Sequence, residues 1–360
     1  MDCYKNRIEK LKEKASDSAF LVTDDKNIYY FTGLWDSNGY LLVTKKEAYL
    51  FVDFRYGEVA ENTVNSAKVI VFSKLYDEIN SVLSCEKVNS CLVETDKVTM
   101  AQYAVFKDKL CCPVSDDNTL DEIIREMRII KDNYEITLLQ KAQDIAEKAY
   151  NKVLPMLKEG VSEREVSVEL EHQMKLLGAQ EVSFDLITIT GKKTSLPHGV
   201  PSDDKISNGD FFTFDIGATF MGYHSDMTRT VAVGSATDEM KKVYDIVLTA
   251  HKKALSAVKS GVTACDIDKI ARDYIYENGF EGSFGHATGH GVGLDIHEYP
   301  TVSTRCDTVL EEGMVITIEP GIYLKGKFGV RIEDTVVVTN EGYRSFALIP
   351  LQISRTGNRK

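Results

Sequence analysis

The sequence predicts a two-domain chain. An α/β domain spans residues 1–122, and an α+β domain with an internal pseudo-twofold repeat spans 123–360. Three observations carry that prediction. The length, 360 residues, exceeds what one ordinary hydrophobic core organises. The first 122 residues alternate strand-like and helix-like patterns. The remainder runs through a helix pair and then a two-stranded alternation, twice over.

In the first domain, "RIEKLKEKA" (7–15) reads as a short amphipathic helix. "AFLVTD" (19–24), "YLLVTKKEAYLFVD" (40–53), "AKVIVF" (67–72) and "SCLVET" (90–95) are rich in β-branched and aromatic residues and read as strands. "LYDEINSVLSC" (75–85) and "TMAQYAVFKDKL" (99–110) carry helical spacing. A further helix runs through "TLDEIIREMRIIKD" (119–132), and the next begins at "NYEITLLQKAQ". The domain boundary is placed near residue 122, at or inside the first of these.

The repeat is visible in "AYNKVLPMLKEGVSEREV" (149–166) and "AHKKALSAVKSGVTACDI" (250–267). Gly160 and Gly261 sit where a helix stops, since glycine tolerates the left-handed conformation there. Ser162 and Thr263 follow as N-caps, each with an acid three residues on, Glu165 and Asp266.

Each helix pair precedes a hairpin. In "GDFFTFDIGATFMGYHSDMTRTVAV" (209–233), Asp215 and Asp226 are symmetric about a turn at Phe220–Gly222. In "EGMVITIEPGIYLKGKFGVRIEDTVVVT" (312–339), Glu319 and Glu333 are symmetric about Gly326. Regular pairing would set the two acids of each hairpin on one face, about 5 Å apart, where like charges repel. An unpaired carboxylate in an apolar strand is also costly. Two such pairs in corresponding places of a repeat point to bound cations. "HATGHGVGLDIHE" (286–298) adds His286, His290 and His297 among glycines that allow close backbone approach. Four carboxylates with one imidazole, His290, suit two divalent cations such as Mn²⁺, Co²⁺, Fe²⁺ or Zn²⁺. A pair of such cations activates a water and clamps a tetrahedral intermediate.

Composition removes other classes. A net charge of −12 argues against nucleic-acid and anionic-membrane partners. The charged N-terminal stretch 1–17 lacks the apolar core of a secretory signal, and no run has the length of a membrane-spanning helix. Seven cysteines without a C-x-x-C pair read as reduced, mostly buried thiols in a cytoplasm.

The set Asp215, Asp226, His290, Glu319 and Glu333 resembles the ligands of the pita-bread metallopeptidases. "LPHG", "FDIGATFMGYHSDMTRT", "GHGVGLDIHE", "EPGIY" and "VRIEDTVVVT" are similar to that family's catalytic blocks. "NIYYFTGL", "FVDFRYGEVA" and "MRIIKDNYEI" resemble the creatinase-type N-terminal domain and linker of its proline-specific branch. The resemblance covers essentially the whole chain. It implies that Asp226 and Glu333 bridge two metals, that Asp215 completes one, and that His290 and Glu319 complete the other. It implies that Glu319 shuttles a proton, while His198 and His297 steady the scissile carbonyl. It places His286 against the proline pocket and Arg331 beside the crowded carboxylates, and it counts both with His198 and His297 among the substrate-binding residues. It further implies a homodimer acting on proline-containing peptides, the cleft being closed by an N-terminal domain.

Within that branch, dipeptidases read the free carboxylate beyond proline, a task suited to arginine. An arginine is expected directly after the "HEWP"-like run of microbial prolidases. Here the run is "HEYPTVST", the position is Thr301, and Arg305 is a nearby substitute. The departure favours an Xaa-Pro aminopeptidase over an Xaa-Pro dipeptidase. A non-catalytic peptide-binding relative would have lost ligands, and none is lost. His224 reads as structural or at the rim, off the ligand face, and His172 and His251 read as helix-surface residues. Tyr223, Tyr299 and Tyr323 read as packing residues near the pocket.

Overall fold

The computed structural model describes residues 3–349 and the backbone of 355–356. It divides into two compact units, Met1–Arg128 and Ile129–Lys360.

The first unit is built on one six-stranded sheet. Its strands are β1 (Ser18–Val22), β2 (Tyr40–Val43), β3 (Ala48–Val52), β4 (Lys68–Val71), β5 (Ser90–Val93) and β6 (Val114–Ser115), in the order β4-β3-β2-β1-β5-β6. The long run 40–53 splits into β2 and β3 because a turn closes through a hydrogen bond from Thr44 N to Glu47 O. The helices are α1 (Cys3–Ala15), α2 (Asp25–Thr32), α3 (Gly57–Thr63), α4 (Leu75–Glu86), α5 (Met100–Lys109) and α6 (Thr119–Ile129). The core packs Leu21, Leu42, Phe51 and Val93 of the sheet against Ile79, Leu83 and Phe106. Sequence periodicity passes over α2. Its signals are the Asp24 side chain capping Asn27 N and the left-handed Gly33 that ends it. Residue 122, the anticipated boundary, lies inside α6, and the compact unit runs on to Arg128 because Leu120, Ile124 and Arg128 bury one face of that helix.

The second unit repeats one plan. Helix α7 (Asn133–Val153) and α8 (Glu163–Leu176) lead to strands β7 (Glu181–Val182), β8 (Ile187–Thr190), β9 (Phe211–Ile216), β10 (Ala218–Phe220), β11 (Tyr223–His224) and β12 (Met227–Val233). Helix α9 (Asp238–Ala257) and α10 (Ala264–Glu277) lead to β13 (Gly289–Gly291), β14 (Glu298–Val302), β15 (Val315–Ile318), β16 (Gly321–Leu324), β17 (Phe328–Arg331), β18 (Asp334–Val338) and β19 (Tyr343–Ser345). Strand β20 (Arg355–Thr356) runs parallel to β12. Gly160 and Gly261 both stand at positive φ, 88° and 89°, as breaks between paired helices. Ser162 and Thr263 cap α8 and α10 by accepting from Glu165 N and Asp266 N.

The helices cover one side of each half and bury its strands. Tyr150, Leu170 and Met174 pack on Phe212, Phe214 and Val231 in the first half. Val247, Ala254 and Ile267 pack on Ile316, Val336 and Ile318 in the second. His251 lies inside this second core at 0% exposure. The surface position expected for it is therefore corrected: the apolar face of α9 includes it. His172 is exposed.

All seven cysteines are free, but only Cys91 and Cys306 are buried, while Cys85 and Cys111 are exposed. The expectation of mostly buried thiols is corrected to that extent, because Cys85 and Cys111 lie in amphipathic or turn positions facing solvent. No helix among the described residues is long and apolar enough to cross a membrane.

Candidate metal centre and catalytic cleft

The two hairpins deliver the acids by different registers. In the first, Thr219 pairs with His224 and Asp215 with Thr228, so the turn is the two-residue Met221–Gly222, both at positive φ. The symmetry expected about Phe220–Gly222 is shifted by this shorter turn. Asp226 falls two residues from the partner of Asp215, hence on the same face as its diagonal neighbour. Gly217 makes this crossing feasible, since a Cβ there would lie 1.9 Å from Ser225 O. In the second hairpin, Ile318 pairs with Asp334 and Gly321 with Arg331. Continuing this register sets Glu319 opposite Glu333, between the two ladder segments.

His290 arrives from β13. Its Nδ1 donates to Gly291 O at 3.0 Å, which turns Nε2 toward the acids. Nε2 lies 3.5 Å from Asp226 Oδ2 and 3.5 Å from Glu319 Oε1. Ligand atoms of Asp226, His290 and Glu333 all lie within 4.8 Å of one another. Asp215 is held by Arg331, whose Nη2 donates to Oδ2 at 2.5 Å.

Electrostatics define what this cluster wants. Asp226 and Glu333 are 5% and 2% exposed. Burial pushes the Asp226 carboxyl up to about 6, against its hydrogen bond with His290, and Asp215 repels it further. Burial carries Glu319 up to about 7, with His290 opposing and Asp226 adding repulsion. Glu333 is raised well above the carboxylate range by burial, then by Asp226 and Glu319. Burial draws His290 down, but Asp226 and Glu319 carry it up to about 9. Three buried carboxylates raised in this way, with Asp215 close by and one imidazole nitrogen aimed among them, are a donor set that fits divalent cations.

The acids form the floor of a cleft of about 820 Å³. His198, His286, His297, Arg331, Tyr299 and Thr301 also line it, together with an apolar wall that includes Phe184, Ile187 and Val200. The His290 and His297 rings meet edge to face, with centroids 4.3 Å apart. Burial lowers the His297 pKa, and the neighbouring His290 and His198 lower it further.

Two residues expected to touch substrate are mostly occupied by protein. His286 Nδ1 meets Ala287 O at 2.7 Å and Nε2 meets Tyr323 Oη at 2.8 Å. Nδ1 donates to the carbonyl, and in the neutral ring Nε2 accepts from the tyrosine hydroxyl. Its pKa is accordingly pushed down to about 4, by burial first and then by Arg331. Only the ring surface is left to face the cleft. Arg331 directs four of its five N–H groups to Asp215, Thr228, Tyr323 and Pro197. These bonds make it an organiser of the floor, while it also lines the cleft. His224 is buried, its Nδ1 3.2 Å from Thr219 Oγ1. Tyr223 donates to Glu135.

Several contributors escape sequence reading. Thr228 Oγ1 donates to Glu333 Oε2 at 2.7 Å while accepting from Arg331 Nε. Arg229, on the opposite face of β12, donates to Glu333 O and pairs with Asp334. Lys131 pairs with Glu298 at 2.9 Å, both side chains buried, next to His297. For Arg229 the available signal is a charged residue inside an otherwise uncharged strand.

Residues 137–340 match metallopeptidase family M24, and residues 5–130 match the creatinase/prolidase N-terminal domain. A curated relative named Xaa-Pro dipeptidase, from Pyrococcus horikoshii, is 41% identical over 347 residues, 95% of this chain and 97% of its own. The solved Xaa-Pro dipeptidase from Bacillus anthracis superposes with a TM-score of 0.93 at 37% identity, covering 98% of this chain and 99% of that one. The X-Pro aminopeptidase structure from Thermotoga maritima gives 0.90 at 33% identity, over 96% and 99% of the two chains. The chain belongs to metallopeptidase family M24, with a creatinase N-terminal domain before a pita-bread catalytic domain. It is a hydrolase of a family that depends on dinuclear metal, and it carries a group able to hold a cation.

Proposed function

We propose that this protein is an Xaa-Pro dipeptidase. The observation that carries the hydrolytic reading is the convergence of Asp215, Asp226, His290, Glu319 and Glu333 on the floor of one cleft. The dipeptidase reading draws its support from relatives of that name at 41% and 42% identity over nearly the whole chain. It replaces the aminopeptidase first expected from Thr301.

Asp226 and Glu333 would bridge two cations, with Asp215 on one and His290 and Glu319 on the other. Mn²⁺ is the proposed metal, given an oxygen-rich donor set with one imidazole. When bound, such a pair supplies Lewis-acid activation of a water and of the scissile carbonyl. Glu319 Oε1 faces Thr317 Oγ1 and His290, which leaves Oε2 to take the proton of the attacking water. The same oxygen then returns that proton to the prolyl nitrogen, which leaves as a secondary amine. His198 and His297 donate to the carbonyl oxygen as negative charge develops there. His286 presents its ring to the proline, its nitrogens being engaged. We carry forward the homodimer that the resemblance implies. Full activity from a single-chain species in a sizing experiment would overturn it.

A second reading, Xaa-Pro aminopeptidase, is favoured by the cleft itself. Arg305 is exposed and does not line it, and Arg331 is committed to Asp215. The deciding assay compares Ala-Pro with Ala-Pro-Ala after metal stripping and Mn²⁺ addition. Preferred cleavage of Ala-Pro upholds the dipeptidase. Preferred release of alanine from the tripeptide establishes the aminopeptidase, and metal-independent inactivity on both removes the two readings together.

A further inference from the structure

We propose that Glu163 is the positioning residue for His198, acting by tying together both ends of the loop that carries it. The inference rests on the reading of His198 as a group that acts at the scissile bond. Glu163 is the first residue of α8 and is 0% exposed. Its Oε1 accepts from Thr190 N at 2.8 Å. Its Oε2 accepts from Ser202 N at 2.8 Å, Ser202 Oγ at 3.1 Å and Lys193 Nζ at 2.6 Å. Thr190 and Ser202 bracket the segment 191–201. One buried carboxylate therefore joins the start of that loop to its end.

The middle of the loop, from Pro197 through Pro201, lines the cleft. His198 is exposed, and no hydrogen bond to its ring is present among the described residues. Its placement therefore comes from the backbone that carries it. Fixing a loop removes conformational freedom that an exposed side chain cannot remove for itself.

The repeat shows that the helix does not need this acid. Helix α10 starts from the same kind of cap, with Ala264 at the corresponding position. The side-chain partners of Glu163 all belong to the loop or its ends rather than to the first turn of α8. Lys193 also pairs with Asp204 at 2.7 Å, so removing Glu163 leaves no lysine stranded without an acid. A variant lacking the carboxylate is thus expected to fold.

The test is a double-mutant cycle of Glu163→Ala and His198→Ala, read together with hydrogen exchange. Glu163→Ala is expected to speed amide exchange across 191–202 while β9, β12, β15 and β18 keep wild-type protection. On Ala-Pro it is expected to lower kcat about tenfold to a hundredfold. KM and Mn²⁺ affinity stay within roughly twofold, because the ligands come from other elements. In the His198→Ala background the same substitution is expected to change kcat less than about twofold. Glu163→Gln, which keeps one acceptor, falls between. Equal kcat losses with and without His198, or unchanged exchange in 191–202, overturn the proposal. A wild-type protein that cleaves no Xaa-Pro peptide overturns the proposed function instead, and the exchange arm still decides whether Glu163 holds the loop.

Discussion

At the scale of single residues, Arg331 joins the most parts of the site. It holds Asp215 directly and reaches Glu333 through the hydroxyl of Thr228. A lysine offers a point charge in place of a planar fork and cannot keep these contacts together. Arg331→Lys is expected to weaken metal binding about tenfold to a hundredfold, measured by calorimetric titration of the stripped protein. His251 makes a separate prediction. Burial pushes its pKa down to about 4, with Asp334 opposing and Arg229 adding to the fall. The unfolded chain binds that proton near the ordinary histidine value, about 6.5. The unfolded state therefore holds more protons between these two values, and stability falls as pH drops from about 6.5 toward 4. His251→Leu is expected to flatten this limb by at most about 1.4 kcal/mol per pH unit, measured by urea denaturation across the range. An unchanged slope would mean that His251 is already charged in the fold.

Individual elements matter by how closely their backbones approach. Gly217 lets β9 and the residues before β12 cross with Ser225 O where a Cβ would stand. Gly289 does the same for β13 against Thr317 O of β15, also at 1.9 Å. One glycine lies beside the Asp215–Asp226 pair and the other beside His290 and Glu319. Gly217→Ala is expected to destabilise the protein by about 1–3 kcal/mol, seen in chemical denaturation, and to lower metal affinity as the carboxylates part. Full affinity in a destabilised variant would show that the hairpin spacing does not set the site. Much of this level was legible beforehand. The caps Ser162 and Thr263 and the stop glycines are local chemistry, so the helix pairs could be read without tertiary contacts. The first hairpin was misread by the length of its turn, because Met221 adopts a positive φ that a non-glycine residue rarely signals.

For the whole molecule, the catalytic unit closes around carboxylates that repel one another when ionised. Cation binding offsets that repulsion and is coupled to folding. Chelation is therefore expected to lower the thermal midpoint, and added Mn²⁺ to restore it. Saturation at a hundred times Kd stabilises by about 2.7 kcal/mol. A midpoint indifferent to metal would count against a cation on this floor.

The sequence by itself determined the two-domain plan, the repeat, the hairpins and the identity of the charged residues gathered at the cleft. Periodicity, caps and turn residues act over a few positions, so they can be read along the chain. Only the tertiary structure decided which partners those residues keep. It engaged His286 with Tyr323, turned Arg331 inward, buried His251 and brought Glu163 to both ends of the His198 loop. The physical reason is that hydrogen-bond satisfaction in a buried site is settled by groups distant in sequence, and no local pattern records it.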